Sequence, residues 1–293
     1  MKNNKLLSVL GLFVLSIIWG ANVPYMKAAL DFSGPVEFAF LRNFFGAAVL
    51  FGILLLQKKP ILISEAPKLF ILGLFQTAGF TGFLIWALLE GGASKTIILV
   101  FTMPLWVAMM AWPLLRERLT ASQWLASGIS MLGIGIIFNP LNEGNNIFSC
   151  SLALASGFSW ACGVILSKKI HIRFPKLDLL TMTAWQMLWG SIPLFIILFI
   201  VNSGPIIWTN YFISIVLFNI IFVNAIAYLL WFFALKHLKA SSVSMLSLLT
   251  PIAGGISAWF LLDEVPNDSE KIGYFLMLLG IFSLLFYRNN KKN

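Results

Sequence analysis

Apolar runs about as long as a bilayer is thick recur from one end of this chain to the other, with only short polar connections between them. A membrane-crossing helix needs roughly 20 predominantly apolar residues. That criterion predicts ten helices, over residues 6–26, 36–57, 67–89, 94–115, 122–138, 148–167, 178–201, 211–235, 240–262 and 271–287. The fifth and tenth are the shortest. The first is too long for a signal peptide and lacks a small-residue cleavage site, so it reads as a span. No connection is long enough to hold a separate soluble domain.

The pattern also repeats. Ala93 to Glu117 reads ASKTIILVFTMPLWVAMMAWPLLRE, and Ala240 to Glu264 reads ASSVSMLSLLTPIAGGISAWFLLDE. Laid together without a gap they agree at nine of 25 positions, including Ser94 with Ser241, Pro104 with Pro251, Trp112 with Trp259 and Glu117 with Glu264. Proline and tryptophan at fixed spacing inside apolar runs are hard to obtain by chance, so a five-helix unit has been duplicated. Fainter echoes pair Trp19 with Trp160, Arg42 with Gln186 across Gly46 and Gly190, and Trp86 with Trp231. An odd number of spans per unit turns the second copy upside down relative to the first. The expected division is 1–140 and 146–293, with the polar stretch Asn139 to Ile147 (NPLNEGNNI) as the seam. Inverted duplicates typify secondary transporters, whose substrate site lies between the halves near the bilayer midplane.

Composition strengthens the membrane reading. The chain is 59% hydrophobic and 11% charged, against roughly 25% charged in an average soluble domain, and that much apolar surface needs lipid as its solvent. A net charge of +9 would suit a nucleic-acid surface, but its distribution points elsewhere. Threading ten spans alternately puts 16 of the 20 Lys and Arg residues on the face holding both termini, and eight of the 11 acids on the other. The positive-inside rule makes the basic face cytoplasmic. Basic loops therefore set topology, and no nucleic-acid partner is expected. Cys150 and Cys162 lie 12 apart on span six, outside zinc-ligand spacings and unsuited to a disulfide, and read as packing residues.

Several motifs carry a resemblance to a known family. They are Trp19-Gly20-Ala21 in span one, Phe40-Leu41-Arg42 in span two, Ala87-Leu88 closing span three, and Ala93-Ser94 and Pro104-Leu105 in span four. Leu115 to Leu119 (LRERL), with Gly128 and Gly133 in span five, continue the series. Over essentially its whole length the chain resembles the drug/metabolite transporter superfamily, in its ten-helix branch with two EamA-type repeats. The resemblance implies a basket in which spans one to four and six to nine surround a central cavity, with five and ten at the periphery. It also implies transport of small polar or amphiphilic metabolites, with amino-acid export the commonest role. The second copy departs from the pattern at Trp160-Ala161-Cys162 and at Gln186, which replaces the basic residue of span two.

Polar groups inside spans are few, so each carries information. Arg42 is the one charge well inside an apolar run, about 9 Å along its helix from the end of span two. Its guanidinium fork suits a substrate carboxylate; equally, Glu37 or Glu90 could pair with it for structure alone. Asn22, Asn43, Gln186, Asn219, Asn224 and Tyr228 could line a cavity, as could Ser241, Ser244 and Ser247 on one arc of span nine. Each could instead be an interhelical hydrogen bond. Trp19, Trp86, Trp160 and Trp231 recur between repeats and sit deep enough to shape a cavity wall, whereas Trp208 suits an interfacial belt. Pro104 and Pro251 each remove a helical hydrogen bond at matching places in spans four and nine, as a shared hinge would. Small residues four apart, Ser16 with Gly20 and Gly254 with Ala258, allow close helix approach.

His171 and His237, the only histidines, fall in basic-face loops, and neither H-E-x-x-H nor G-x-S-x-G occurs. The chain is therefore read as no enzyme, with no metal or cofactor. The expected protein is an all-α integral membrane carrier with ten helices in two inverted five-helix repeats around a central cavity. It sits in the bacterial inner membrane with both termini cytoplasmic, and exports an amino acid or related metabolite by alternating access. An importer of a sugar, nucleotide-linked metabolite or organic cation on the same scaffold is the alternative. The expected substrate-binding set is Trp19, Asn22, Arg42, Trp86, Trp160, Tyr228, Trp231 and Ser244, with Pro104 and Pro251 as hinges. Its partners are a small-molecule substrate and the lipid bilayer, with monomer and homodimer both open.

Overall fold

The computed structural model describes residues 2–91, 93–117, 120–138, 146–201, 204–263, 265 and 267–290. It is built of helices: α1 (Lys2–Ala29), α2 (Pro35–Leu56), α3 (Ala66–Glu90), α4 (Ala93–Val100 and Met103–Leu115), α5 (Ala121–Phe138), α6 (Ile147–Arg173), α7 (Leu179–Leu198), α8 (Asn210–His237), α9 (Ala240–Leu246 and Leu249–Leu262) and α10 (Asp268–Asn290). Among the described residues, all but α5 and α10 contain a stretch long and apolar enough to cross a membrane; those two hold shorter apolar cores, Trp124–Ile136 and Lys271–Gly280. Leu56 is 85% exposed and Phe199 78%, which is tolerable only against lipid. Almost all of the seam falls outside the described residues, as does Glu264.

The duplication is visible in the backbone. Helices α4 and α9 are each interrupted for two residues, Phe101-Thr102 and Ser247-Leu248, just before Pro104 and Pro251. Tight i→i+3 bonds bridge both breaks, with Thr102 N–H on Leu99 and Leu248 N–H on Met245. Both helices then end on a non-glycine residue in the left-handed region, Arg116 at φ 56° and Asp263 at φ 55°. Those positions are 147 apart, the spacing of the proline pair. A stretch of π-helix interrupts α3 at Leu74–Gly79 and α8 at Asn219–Ile226, overlapping at the same spacing. Wide turns of this kind often mark functional places in helices.

Two lysines close matching corners at opposite ends of the bundle. Lys27 Nζ, near the end of α1, donates to the carbonyls of Leu88 and Gly91 at the end of α3, at 2.6 and 3.0 Å. Lys168 Nζ, near the end of α6, donates to Leu235 and Leu238 at the end of α8, at 2.7 and 2.6 Å. The last carbonyls of a helix lack internal partners and carry its negative pole, so an ammonium there is doubly favoured. These contacts fix the register of the repeats: Leu88 corresponds to Leu235 and Gly91 to Leu238. The echo of Trp86 in Trp231 is therefore corrected. In the ungapped register Trp86 matches Phe233 and Trp231 matches Leu84, so the shared tryptophan is a coincidence two residues out of step.

The other echoes describe real contacts. A Cβ on Gly46 of α2 would press on Asn224 of α8, and one on Gly190 of α7 would collide with Thr77 of α3. Gly20 lies against Ala253 and Gly254 of α9, so the small residues bring α1 and α9 to backbone contact. Helices α5 and α10 pack on each other, with Gly133 against the Gly273 carbonyl and Gly280 against Ser130. At the basic face the first repeat reaches into the second: the Ala240 N–H that opens α9 donates to Glu117 Oε2 at 3.0 Å.

Candidate functional site

A central cavity lies between the halves. Its wall takes Trp19, Asn22 and Met26 from α1, Arg42 from α2, Phe80 and Leu84 from α3, and Ile97 and Phe101 from α4. The second repeat adds Val223 and Tyr228 from α8 and Thr250 from α9. The centres of water-sized molecules can reach about 40 Å³ of it, room for a few waters at roughly 10–15 Å³ each. A metabolite needs the walls to part.

Aromatic rings shut the cavity towards the basic face. Trp19 meets Trp160 edge-on at 5.3 Å and Trp231 at 5.7 Å, and Trp160 meets Trp231 at 5.1 Å. Tyr228 touches Trp19 and Trp160 at 5.8 and 5.7 Å, while Phe80 lies 4.3 Å from Trp160. Such pairs contribute about 0.5–1.5 kcal/mol each beyond the area they bury. The cluster joins α1, α3, α6 and α8, so both repeats must rearrange to open it.

Polar links decide what the wall offers. Asn22 and Asn219 exchange amide hydrogen bonds at 3.0 and 2.8 Å, satisfying each other between α1 and α8. Arg42 is 4% exposed. Its Nη2 donates to Asn224 Oδ1 at 3.1 Å and its Nη1 to Met26 Sδ at 2.9 Å, while Nε has no partner. Asn224 is itself held by the Arg42 carbonyl and Asn43 Oδ1. Among the described residues neither Glu37 nor Glu90 forms an ion pair with Arg42. The guanidinium thus rests on soft and neutral acceptors, with no carboxylate paired to it among the described residues.

The structure brings seven of the eight sequence-derived site residues into the interior. Trp19, Asn22, Arg42 and Tyr228 line the cavity, Trp160 and Trp231 close it, and Ser244 is buried in the first half of α9. Trp86 stands apart. It is half-buried and packs edge-on against Phe148 at 6.2 Å. Pro104 and Pro251 sit just after the two helix breaks. Sequence reasoning passed over Met26 and Phe80, which look like ordinary core residues, and Gln76, whose amide inside span three was a usable signal. It also passed over the lysine corners, which join helices far apart in sequence.

The basic face holds one charged pair of note. Lys59 Nζ lies 2.8 Å from Asp178 Oδ1, and Asp178 also caps α7 through the Thr181 N–H. Burial pushes the Asp178 carboxyl up. The hydrogen bonds from Lys59 and Thr181, with the lysine charge, outweigh this and hold it below its ordinary value.

Apolar helices in two inverted copies, meeting around a cavity that one face seals, define a multi-pass membrane protein of the transporter class. The sequence profile of the EamA-like transporter family matches residues 6–139 and 147–286, and the chain belongs to that family. It is 28% identical over 290 residues to the uncharacterized transporter YoaV of Bacillus subtilis, covering 97% of this chain and 98% of that one. It is 27% identical over 289 residues to a probable amino-acid metabolite efflux pump of Escherichia coli, covering 95% and 94%. A crystal structure with 16% sequence identity superposes at a TM-score of 0.77 over 98% of this chain and 99% of the other. At that identity the likeness speaks for the fold.

Proposed function

We propose that this transporter exports an amino acid or a related carboxylate-bearing metabolite across the bacterial inner membrane by alternating access. The observation that carries the reading is Arg42: a buried cation on the cavity wall, without a carboxylate partner among the described residues. A buried charge is costly unless something pairs with it, and a substrate carboxylate supplies that pair through the guanidinium fork. Aromatic rings opposite suit an apolar or flat side chain on the same molecule. A cationic substrate would meet repulsion instead. The similarity to probable amino-acid metabolite efflux pumps supports this substrate class. The excess of basic residues at one face supports placing that face, with both termini, in the cytoplasm.

The test is a thermal-shift panel on the purified protein with amino acids, their amides, sugars and organic cations. A ligand that binds only the folded state raises the melting temperature. Carboxylate-bearing amino acids should raise it and their amides should not, and the same compounds should exchange across proteoliposomes. Stabilisation by sugars or cations alone would overturn the reading.

A further inference from the structure

The repeat register gives every residue of the cavity wall a twin in the other half. Trp19 maps to Trp160, Arg42 to Gln186, Leu84 to Trp231, Ile97 to Ser244 and Val223 to Gln76. These twins lie towards the basic face, beyond or within the aromatic cluster. They share a second property that the register does not require. Trp160 Nε1, Trp231 Nε1, Gln186 Nε2, Ser244 Oγ and both amide atoms of Gln76 are buried without a hydrogen-bond partner. They make up six of the 14 such atoms among the described residues, and Arg42 Nε and Thr250 Oγ1 on the present cavity make two more. Buried polar groups are nearly always bonded, and each orphan costs about 1–3 kcal/mol. Eight of 14 gathered on one cavity and its image call for a common cause.

The image site is filled by its own side chains. Gln76 is fully buried on the π-helical turn of α3, with its Oε1 where a Cβ on Gly163 would have to sit. Gly163 is the twin of Asn22, so the second copy has lost the amide that in the first copy bonds Asn219. The Tyr228 hydroxyl donates to the Gln76 carbonyl at 3.2 Å. That carbonyl is the twin of the Val223 carbonyl, which Trp19 Nε1 bonds at 3.2 Å. Trp160 is thereby left with a free N–H.

We propose that Gln76, Trp160, Gln186, Trp231 and Ser244 form a second substrate station, shut here and opened when access passes to the basic face. It rests on the alternating-access reading above. Its chemistry is uncharged and rich in N–H donors, so it takes the carboxylate oxygens of a small metabolite by neutral hydrogen bonds. The opposite station offers the guanidinium of Arg42. A substrate would therefore meet neutral donors on the basic side and a cation on the other.

The experiment has two arms. In a chain with Cys150 and Cys162 replaced, Ser244→Cys is exposed to a membrane-impermeant maleimide from each face of vesicles of known orientation. Labelling from the basic face alone is expected; labelling only from the opposite face, or none from either, overturns the second station. This arm needs no substrate, so it stands even if the carboxylate assignment fails. In the second arm Gln76→Leu removes the orphan amide while keeping its bulk. The melting temperature should hold or rise, because no existing side-chain bond is lost. The KM for the most stabilising amino acid of the panel should rise about tenfold from the basic face and less than twofold from the other. A fall in melting temperature that tracks the loss of flux, or equal KM changes at both faces, assigns Gln76 to packing and sinks the proposal.

Discussion

Replacing Arg42 by Met separates binding from folding, because the two effects have opposite signs. Removing the guanidinium relieves a buried, unpaired charge; exchanging buried charges for apolar groups of similar size is often neutral or stabilising by about 1–4 kcal/mol. Against this, Asn224 Oδ1 loses its donor, at a cost of about 1–3 kcal/mol. The two nearly cancel, so the variant should melt within about 5 °C of the parent, at roughly 2–4 °C per kcal/mol for a chain of this general size. A carboxylate bound to the guanidinium loses a charge-assisted hydrogen bond of about 1.5–3 kcal/mol, or roughly 10- to 150-fold in affinity. Arg42→Lys keeps the charge but loses the planar fork and should fall between. The assay pairs differential scanning fluorimetry with equilibrium binding of the carboxylate ligand found by the thermal-shift panel. A melting temperature that drops by more than 10 °C while affinity is unchanged would refute the reasoning, since Arg42 would then be holding helices rather than substrate.

Lys27→Met and Lys168→Met each delete two charge-assisted bonds and should each lower stability by about 2–4 kcal/mol, read as loss of melting temperature; a change confined to one of them would contradict their equivalence. Trp86→Ala should leave the transport KM within twofold, because the ring packs on Phe148 away from the cavity. Lys59→Met should lower the melting temperature slightly at neutral pH, since a half-exposed pair contributes roughly 0–1 kcal/mol. Asp178 has a depressed folded-state pKa, so its contribution is present above the ordinary carboxylate value and lost as pH falls through the folded value. The parent and variant melting curves should therefore converge in acid, and a gap that widens there would reverse the sign. Single cysteines at Lys59, Lys169 and Lys239 should escape an impermeant reagent applied outside cells, while cysteines at Asp31 and Asn267 react. Asp31 is exposed at the turn after α1, which makes a cysteine there accessible.

Run length and the proline–tryptophan spacing made the helices and their duplication legible, because the bilayer fixes how long a span must be. Shared residue identity misled at Trp86, where register follows backbone capping rather than side-chain type. The Lys27 and Lys168 corners left no local signature, since each joins a helix end to another more than 60 residues along the chain. Arg42 had Glu37 near it in sequence, yet its amide partner lies 182 residues away. Which tryptophans close the cavity depended on how α1, α6 and α8 cross, and no linear pattern records that crossing.

The bond between Arg42 and Asn224 also sets a clock for biosynthesis. Residues leave the ribosome at about 5–20 per second, so the 182 residues separating the pair take roughly ten to forty seconds to make. Throughout that interval Asn224 does not yet exist, and for the later part of it Arg42 is already outside the ribosome. The same wait applies to Asn22, whose partner Asn219 lies 197 residues on, and to Glu117, which precedes Ala240 by 123. The newborn first half must therefore hold its polar groups against water, lipid headgroups or the insertion machinery until the second half arrives. A slow stretch of translation after the seam would lengthen that exposure, and quality control has its best chance to intercept the chain there.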